Sequence, residues 1–155
     1  MTLRPSLFDD TLDLLDALDE AGAQFIVVGA HALAAHGILR ATGDFDLLVN
    51  ATADNARRVI RALETFGAPL AAHGVREEDF ARPGAVYQLG LPPRRIDLLT
   101  RISGVGFDEA WATRLEVVTD GRRLPILGRE ALLQNKRASG RPKDLLDVLA
   151  LEGQG

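Results

Sequence analysis

The stretch from Gln24 to Val49 constrains this chain most. Gln24 to Val28 is a short β-branched run that stops at Gly29, and it reads as a buried strand. His31 to His36 is alanine-rich and reads as one or two helical turns, after which Asp44 to Val49 alternates acid, Phe, acid and turns apolar, as a second strand would. Asp44 and Asp46 are two apart, so a pleated strand turns both carboxylates to one face and Phe45 to the other, into the core. Like charges at that spacing repel. They make sense on a solvated face or around a cation, and magnesium is the oxygen-seeking ion that takes one or two carboxylates together with substrate phosphates. Upstream, Gly29-Ala30 opens the short helix without bulk, which leaves backbone N–H groups able to meet a phosphate.

A later strand, Arg95-Ile96-Asp97-Leu98-Leu99, carries one acid among apolar neighbours. If it lies beside the first acidic strand, Asp44, Asp46 and Asp97 meet at one sheet edge. Three carboxylates together suit a two-metal displacement, in which one ion activates the attacking oxygen and the other steadies the leaving group.

The remaining pattern supplies a frame for this unit. Leu7 to Glu20 is an amphipathic helix with Ser6 as N-cap, ending near Gly22. Ala53 to Phe66 places Val59, Ile60, Leu63 and Phe66 on one side of a helix. His73 to Pro83 is polar and reads as a loop or short helix. Ala85 to Leu89 and Arg95 to Leu99 are strands joined by the turn-forming Gly90-Leu91-Pro92-Pro93. Phe107 to Thr113 reads as a helix, and Leu115 to Val118 with Leu124 to Leu127 reads as a hairpin around Asp120-Gly121. Gly128 to Ala138 and Lys143 to Leu151 are helices, the second started by Arg141-Pro142. The order implies one α/β (α+β) domain over residues 1–155, with a core at about 7–127 and C-terminal helices at about 128–152.

Composition narrows the function class. With 155 residues, 46% hydrophobic and 26% charged, the chain has the proportions of a soluble domain with a real core. It has no cysteine, so disulfides and thiolate metal sites are excluded, and a reducing compartment fits. The start, Met1 to Asp10, lacks the basic and apolar regions of a signal peptide, and no apolar run approaches a membrane span; a cytoplasmic setting is expected. The net charge of -4 means that a polyanion would have to be held by a local basic patch or by metal ions.

Gly29-Ala30, a spacer and then Asp44-Phe45-Asp46 resembles the DNA polymerase beta superfamily of nucleotidyltransferases. The run Val27-Val28-Gly29-Ala30-His31-Ala32-Leu33-Ala34-Ala35-His36-Gly37, with Arg40-Ala41-Thr42 ahead of the acids, is further similar to minimal nucleotidyltransferases allied to the AbiEii toxins. Their helix lysine followed by a basic-Asp-xx-Asp stretch is matched by Lys136 and by Arg141-Pro142-Lys143-Asp144-Leu145-Leu146-Asp147. Position 30 departs from the pattern, with alanine where glycine or serine is usual. The resemblance implies a mixed β-sheet flanked by helices, magnesium, and an NTP whose nucleotide moves to an acceptor: a tRNA end, a protein hydroxyl or a small molecule. It implies Asp44, Asp46 and Asp97 as catalytic metal ligands. Gly29, Ala30, Arg40, Thr42, Lys136, Arg141, Lys143 and Asp144 would form the nucleotide-binding set.

Blander readings stand beside these. Asp44 and Asp46 alone fit a solvated strand face, Arg40 fits a surface arginine, and His31 and His36 fit packing or capping roles. Lys136, Arg141 and Lys143 fit a helix-end cluster as well as a triphosphate seat, and Asp144 fits helix N-terminal charge. The alternative function is a weak or inactive module of the same fold that pairs with a partner in a toxin-antitoxin system.

Overall fold

The computed structural model describes residues 9–40, 44–91 and 94–153. The expected N-cap Ser6 and the helix start at Leu7 lie outside these residues, as does Thr42. Helix α1 (Asp9–Glu20) leads into strand β1 (Phe25–Val28), helix α2 (Gly29–Ala35) and strand β2 (Phe45–Val49). Then come α3 (Ala53–Phe66), α4 (Glu77–Phe80), β3 (Val86–Leu89), β4 (Ile96–Leu99), α5 (Phe107–Ala112), β5 (Leu115–Thr119), β6 (Arg122–Ile126), α6 (Arg129–Ser139) and α7 (Pro142–Glu152).

Local chemistry sets the ends of these elements. The Thr52 side chain accepts from the Asn55 N–H at 3.2 Å to start α3, and Gly67, at φ 93°, closes it in the left-handed conformation that glycine adopts without penalty. Asp120 and Gly121 both have positive φ, 52° and 76°, and they join β5 to β6 as the right-handed strand twist requires.

The strands form one mixed sheet in the order β3-β4-β2-β1-β6-β5. β1 runs antiparallel to β2 and parallel to β6, while β2 runs parallel to β4. Phe45, Leu47, Ile96 and Leu98 share one face and are buried; Asp46, Leu48 and Asp97 share the other. Leu14, Leu15 and Leu18 of α1 and Val59 and Leu63 of α3 join the same hydrophobic core as the central strands. The buried Asn55 side chain accepts from Gln24 N at 2.7 Å and donates to Gln24 O and Asn50 O, tying α3 to the outer ends of β1 and β2. Among the described residues no helix is long and apolar enough to cross a membrane.

Candidate active site

The parallel register makes Asp46 and Asp97 direct partners on β2 and β4. These strands lie inside the sheet and not at its edge, a correction to the expected placement: β3 pairs with the far side of β4 and covers it. Asp44 stands one residue ahead of β2, where Phe45 N donates to Arg95 O at 2.9 Å and locks the two strand starts together.

Burial and mutual repulsion dominate the electrostatics. Asp97 is buried, and its carboxylate accepts from Arg95 Nε at 2.9 Å and from the terminal guanidinium nitrogen at 3.2 Å. That same nitrogen donates to Asp44 Oδ2 at 2.8 Å. The Asp46 Oδ1 is buried without a hydrogen-bond partner. Burial first, then the charges of Asp97 and Asp44, push the Asp46 carboxyl up to about 6.

This donor set fits a hard divalent cation, since it offers carboxylate oxygens only and one of them is buried and unpartnered. Among the described residues no three His, Cys, Asp or Glu donors already converge in ligating geometry; the Arg95 guanidinium bridges Asp44 and Asp97 instead. Arg95 is the participant that reading the sequence missed. Its signal was its spacing: two residues before Asp97 on an extended chain, it points to the same face.

Gly29 closes the floor of the site. At φ 71° it adopts a conformation that side chains resist, and a Cβ there would lie 2.5 Å from Asp46 Oδ2. Ala30 follows as the second residue of α2, whose N-cap residue Val28 gives no side-chain hydrogen bond to the first turn. Gly29→Ala is expected to cost about 2 kcal/mol through backbone strain and the clash, read as a lower urea midpoint. An unchanged midpoint would show that the carboxylate can move aside freely.

His31 and His36 hold structure. His31 packs its ring 4.6 Å from that of Phe45, and burial lowers its pKa against the opposing effect of a hydrogen bond with the Asp44 backbone. His36 Nε2 donates to Leu127 O at 2.8 Å and pins α2 to the end of β6.

The C-terminal signature residues come together around two buried carboxylates. Lys136 Nζ lies 3.3 Å from Asp144 Oδ1 and 3.2 Å from Asp147 Oδ2, and all three side chains are buried. Arg141 Nε donates to Asp144 Oδ2 at 2.8 Å, while Arg40 reaches Asp147 from the segment before the acids. Burial raises the Asp144 carboxyl, but hydrogen bonds from Arg141, Ser139 and Lys136 outweigh it and hold the group well below the usual carboxylate range. Lys143 is exposed. Of the expected nucleotide-binding set, Gly29 stands against Asp46 with Ala30 next to it in α2, Arg40, Lys136, Arg141 and Asp144 form an ion network with Asp147, and Thr42 is outside the described residues.

Comparison with family models gives no match, and comparison with curated proteins gives none. Solved structures do match. A Thermotoga maritima protein described as a nucleotidyltransferase superposes with a TM-score of 0.57 at 15% identity, over 96% of both chains. The lincosamide antibiotic adenylyltransferase LnuA, with lincomycin bound, gives 0.50 at 14% identity, over 96% of this chain and 98% of that one. An antigenic nucleotidyltransferase-like protein from Paracoccidioides brasiliensis gives 0.50 at 18% identity, over 96% and 78%. The fold is thus the polymerase-beta-like nucleotidyltransferase fold: a mixed six-stranded sheet flanked by helices.

Proposed function

We propose that this chain is a single-domain, magnesium-dependent nucleotidyltransferase that moves a nucleoside monophosphate from an NTP to an acceptor hydroxyl. The observation that carries the reading is the pairing of Asp46 with Asp97 on adjacent parallel strands, with a buried, unpartnered Asp46 oxygen and Arg95 joining Asp97 to Asp44. Acids assembled this way from distant parts of the chain raise each other's energy, which a fold retains for a function.

Asp44, Asp46 and Asp97 would hold the magnesium ions, which when bound neutralise the triphosphate and lower the pKa of an attacking oxygen. Arg95 would release its two carboxylates and turn its guanidinium to a phosphate oxygen, exchanging one anion for another. Gly29 and Ala30 would let a phosphate approach the backbone beside Asp46. The cytoplasm suits a chain without cysteine.

A tRNA end, a protein hydroxyl and a small molecule all fit as acceptors. The test is incubation with each α-labelled NTP, magnesium and cell extract, followed by separation of RNA, protein and small molecules. Label is expected in one fraction and only with divalent cation. Label in none, with every NTP, overturns the reading.

A second reading is a module allied to the AbiEii-type proteins that binds a partner in a toxin-antitoxin pair. It is favoured by the exposed leucines of α7, Leu145, Leu146 and Leu149, the last two more than 60% exposed at 63% and 66%. Co-expression with the product of the neighbouring gene would recover a stable complex, with no label transfer by the isolated chain.

A further inference from the structure

Lys136 of α6 and Asp144 and Asp147 of α7 are charged side chains buried together. Apolar residues of similar volume would often serve a helix hairpin at least as well as a buried ion cluster. Burial also keeps all three from touching a nucleotide themselves. What they hold is more open. Asp147, 1% exposed, accepts from the guanidinium of Arg40, whose side chain is still 40% exposed, and Asp144 accepts from the exposed Arg141.

Of these two arginines, Arg40 is the one that the chain ties closely to the acids. It stands four residues ahead of Asp44, so their Cα atoms lie within about 14 Å of each other. An arginine side chain and a triphosphate bound at the acids bridge such a gap between them. Arg40 gives one N–H to Asp147 and another, from Nη1, to the adjacent Leu39 O at 3.1 Å, which leaves further N–H groups of the planar fork for a ligand. Asp147 is 107 positions away in sequence, so this contact fixes the guanidinium against the body of the fold. Lys136 Nζ in turn lies 3.2 Å from the other Asp147 oxygen. A chain of net charge -4, with Asp44, Asp46 and Asp97 in its site, needs such a fixed cation to receive a triphosphate.

We propose that Asp147 is a positioning residue for NTP binding: held by Lys136, it sets the Arg40 guanidinium so that its remaining N–H groups meet a phosphate oxygen of the triphosphate. This role rests on the transferase reading. It also has a sign of its own. Asp147→Asn keeps the shape and removes a negative charge, which through space alone would favour an anion and tighten NTP binding; acting through Arg40, the change releases the guanidinium and weakens it.

Calorimetry on the full chain, with magnesium and the α,β-methylene analogue of each ribonucleoside triphosphate, reads the difference. For the analogue that the wild type binds most tightly, Asp147→Asn and Arg40→Gln are each expected to weaken binding by about tenfold or more. The double variant should be within about twofold of Arg40→Gln alone, because the two residues act as one unit. With magnesium alone all three variants should gain melting temperature as the wild type does, since Asp44, Asp46 and Asp97 are untouched, and a role confined to packing would leave analogue affinity unmoved. Where Asp147→Asn folds poorly, Asp147→Glu keeps the charge, displaces it by one methylene and is expected to weaken binding in the same direction. Equal or tighter binding by either Asp147 variant, or wild-type affinity in Arg40→Gln, overturns the proposal and leaves the transferase reading in place. A wild type that binds none of the analogues overturns it too, and label transfer then decides the transferase reading by itself.

Discussion

Asp46→Asn is expected to make the cation-free protein more stable and to abolish nucleotidyl transfer. The Asp46 carboxyl is held at about 6 by burial and by Asp97 and Asp44, against about 3.9 in an unfolded chain. A raised carboxyl value contributes stability below the unfolded value and loses it as pH rises through the folded one, so at pH 7 the folded protein carries the full penalty of a charge it would rather neutralise. Asparagine keeps the shape and removes the charge. Allowing for partial solvent exposure, the gain at pH 7 is about 1 to 2 kcal/mol, or about 3 to 6 °C in melting temperature. It should vanish near pH 4, where the wild-type group is protonated. Magnesium reverses the order, raising the wild-type melting temperature and leaving the variant unmoved. Transfer activity should fall by about a thousandfold or more, the scale of losing a charge that acts on the transition state. A variant that keeps full transfer, or a wild type indifferent to both pH and magnesium, would remove Asp46 from the site.

Lys136→Met should be the most damaging single change in the C-terminal helices. Its ammonium is buried between Asp144 and Asp147, which retain Arg141 and Arg40 but lose the one cation that, among the described residues, contacts both. Methionine fills similar volume, so the loss reports charge more than packing. A cost of about 3 kcal/mol is expected from uncovering buried carboxylates. The pH dependence runs opposite to that of Asp46. Because the Asp144 carboxyl is held low, the network's stability is present above the unfolded carboxylate value and is lost as pH falls through the folded one. Urea melts of both proteins at neutral and acid pH check this, and the two curves should converge in acid. An unchanged midpoint together with weaker NTP binding would assign Lys136 to the nucleotide.

Much of this arrangement is readable from local pattern. Ala53–Phe66 is a helix with the bounds that its apolar face and Thr52-to-Gly67 punctuation suggest, and the Asp120-Gly121 hairpin follows from turn chemistry. The choice left open for residues 73–83 is decided by a single turn of helix at Glu77–Phe80. What local pattern does not reach is pairing. The parallel match of β2 with β4 depends on the whole sheet, so the Asp97 site was conditional on it, and the covering strand β3 moved the acids from an edge to the interior. Burial of Lys136 was equally hidden, since a lysine in a basic helix end ordinarily faces water. Arg95 reads as a strand start, and its role depends on Asp44, which lies 51 positions away in sequence.

That separation has a bearing on how the chain folds. β1 and β2 are close in sequence and pair antiparallel, so they can zip together early, whereas β2 and β4 must wait for a long connection to close before any contact rewards it. The Val27 to Ile126 pairing is later still. Until β4 is in place, Asp44 and Asp46 lack the facing carboxylate of Asp97. An added cation should leave the earliest refolding phase untouched and slow unfolding instead.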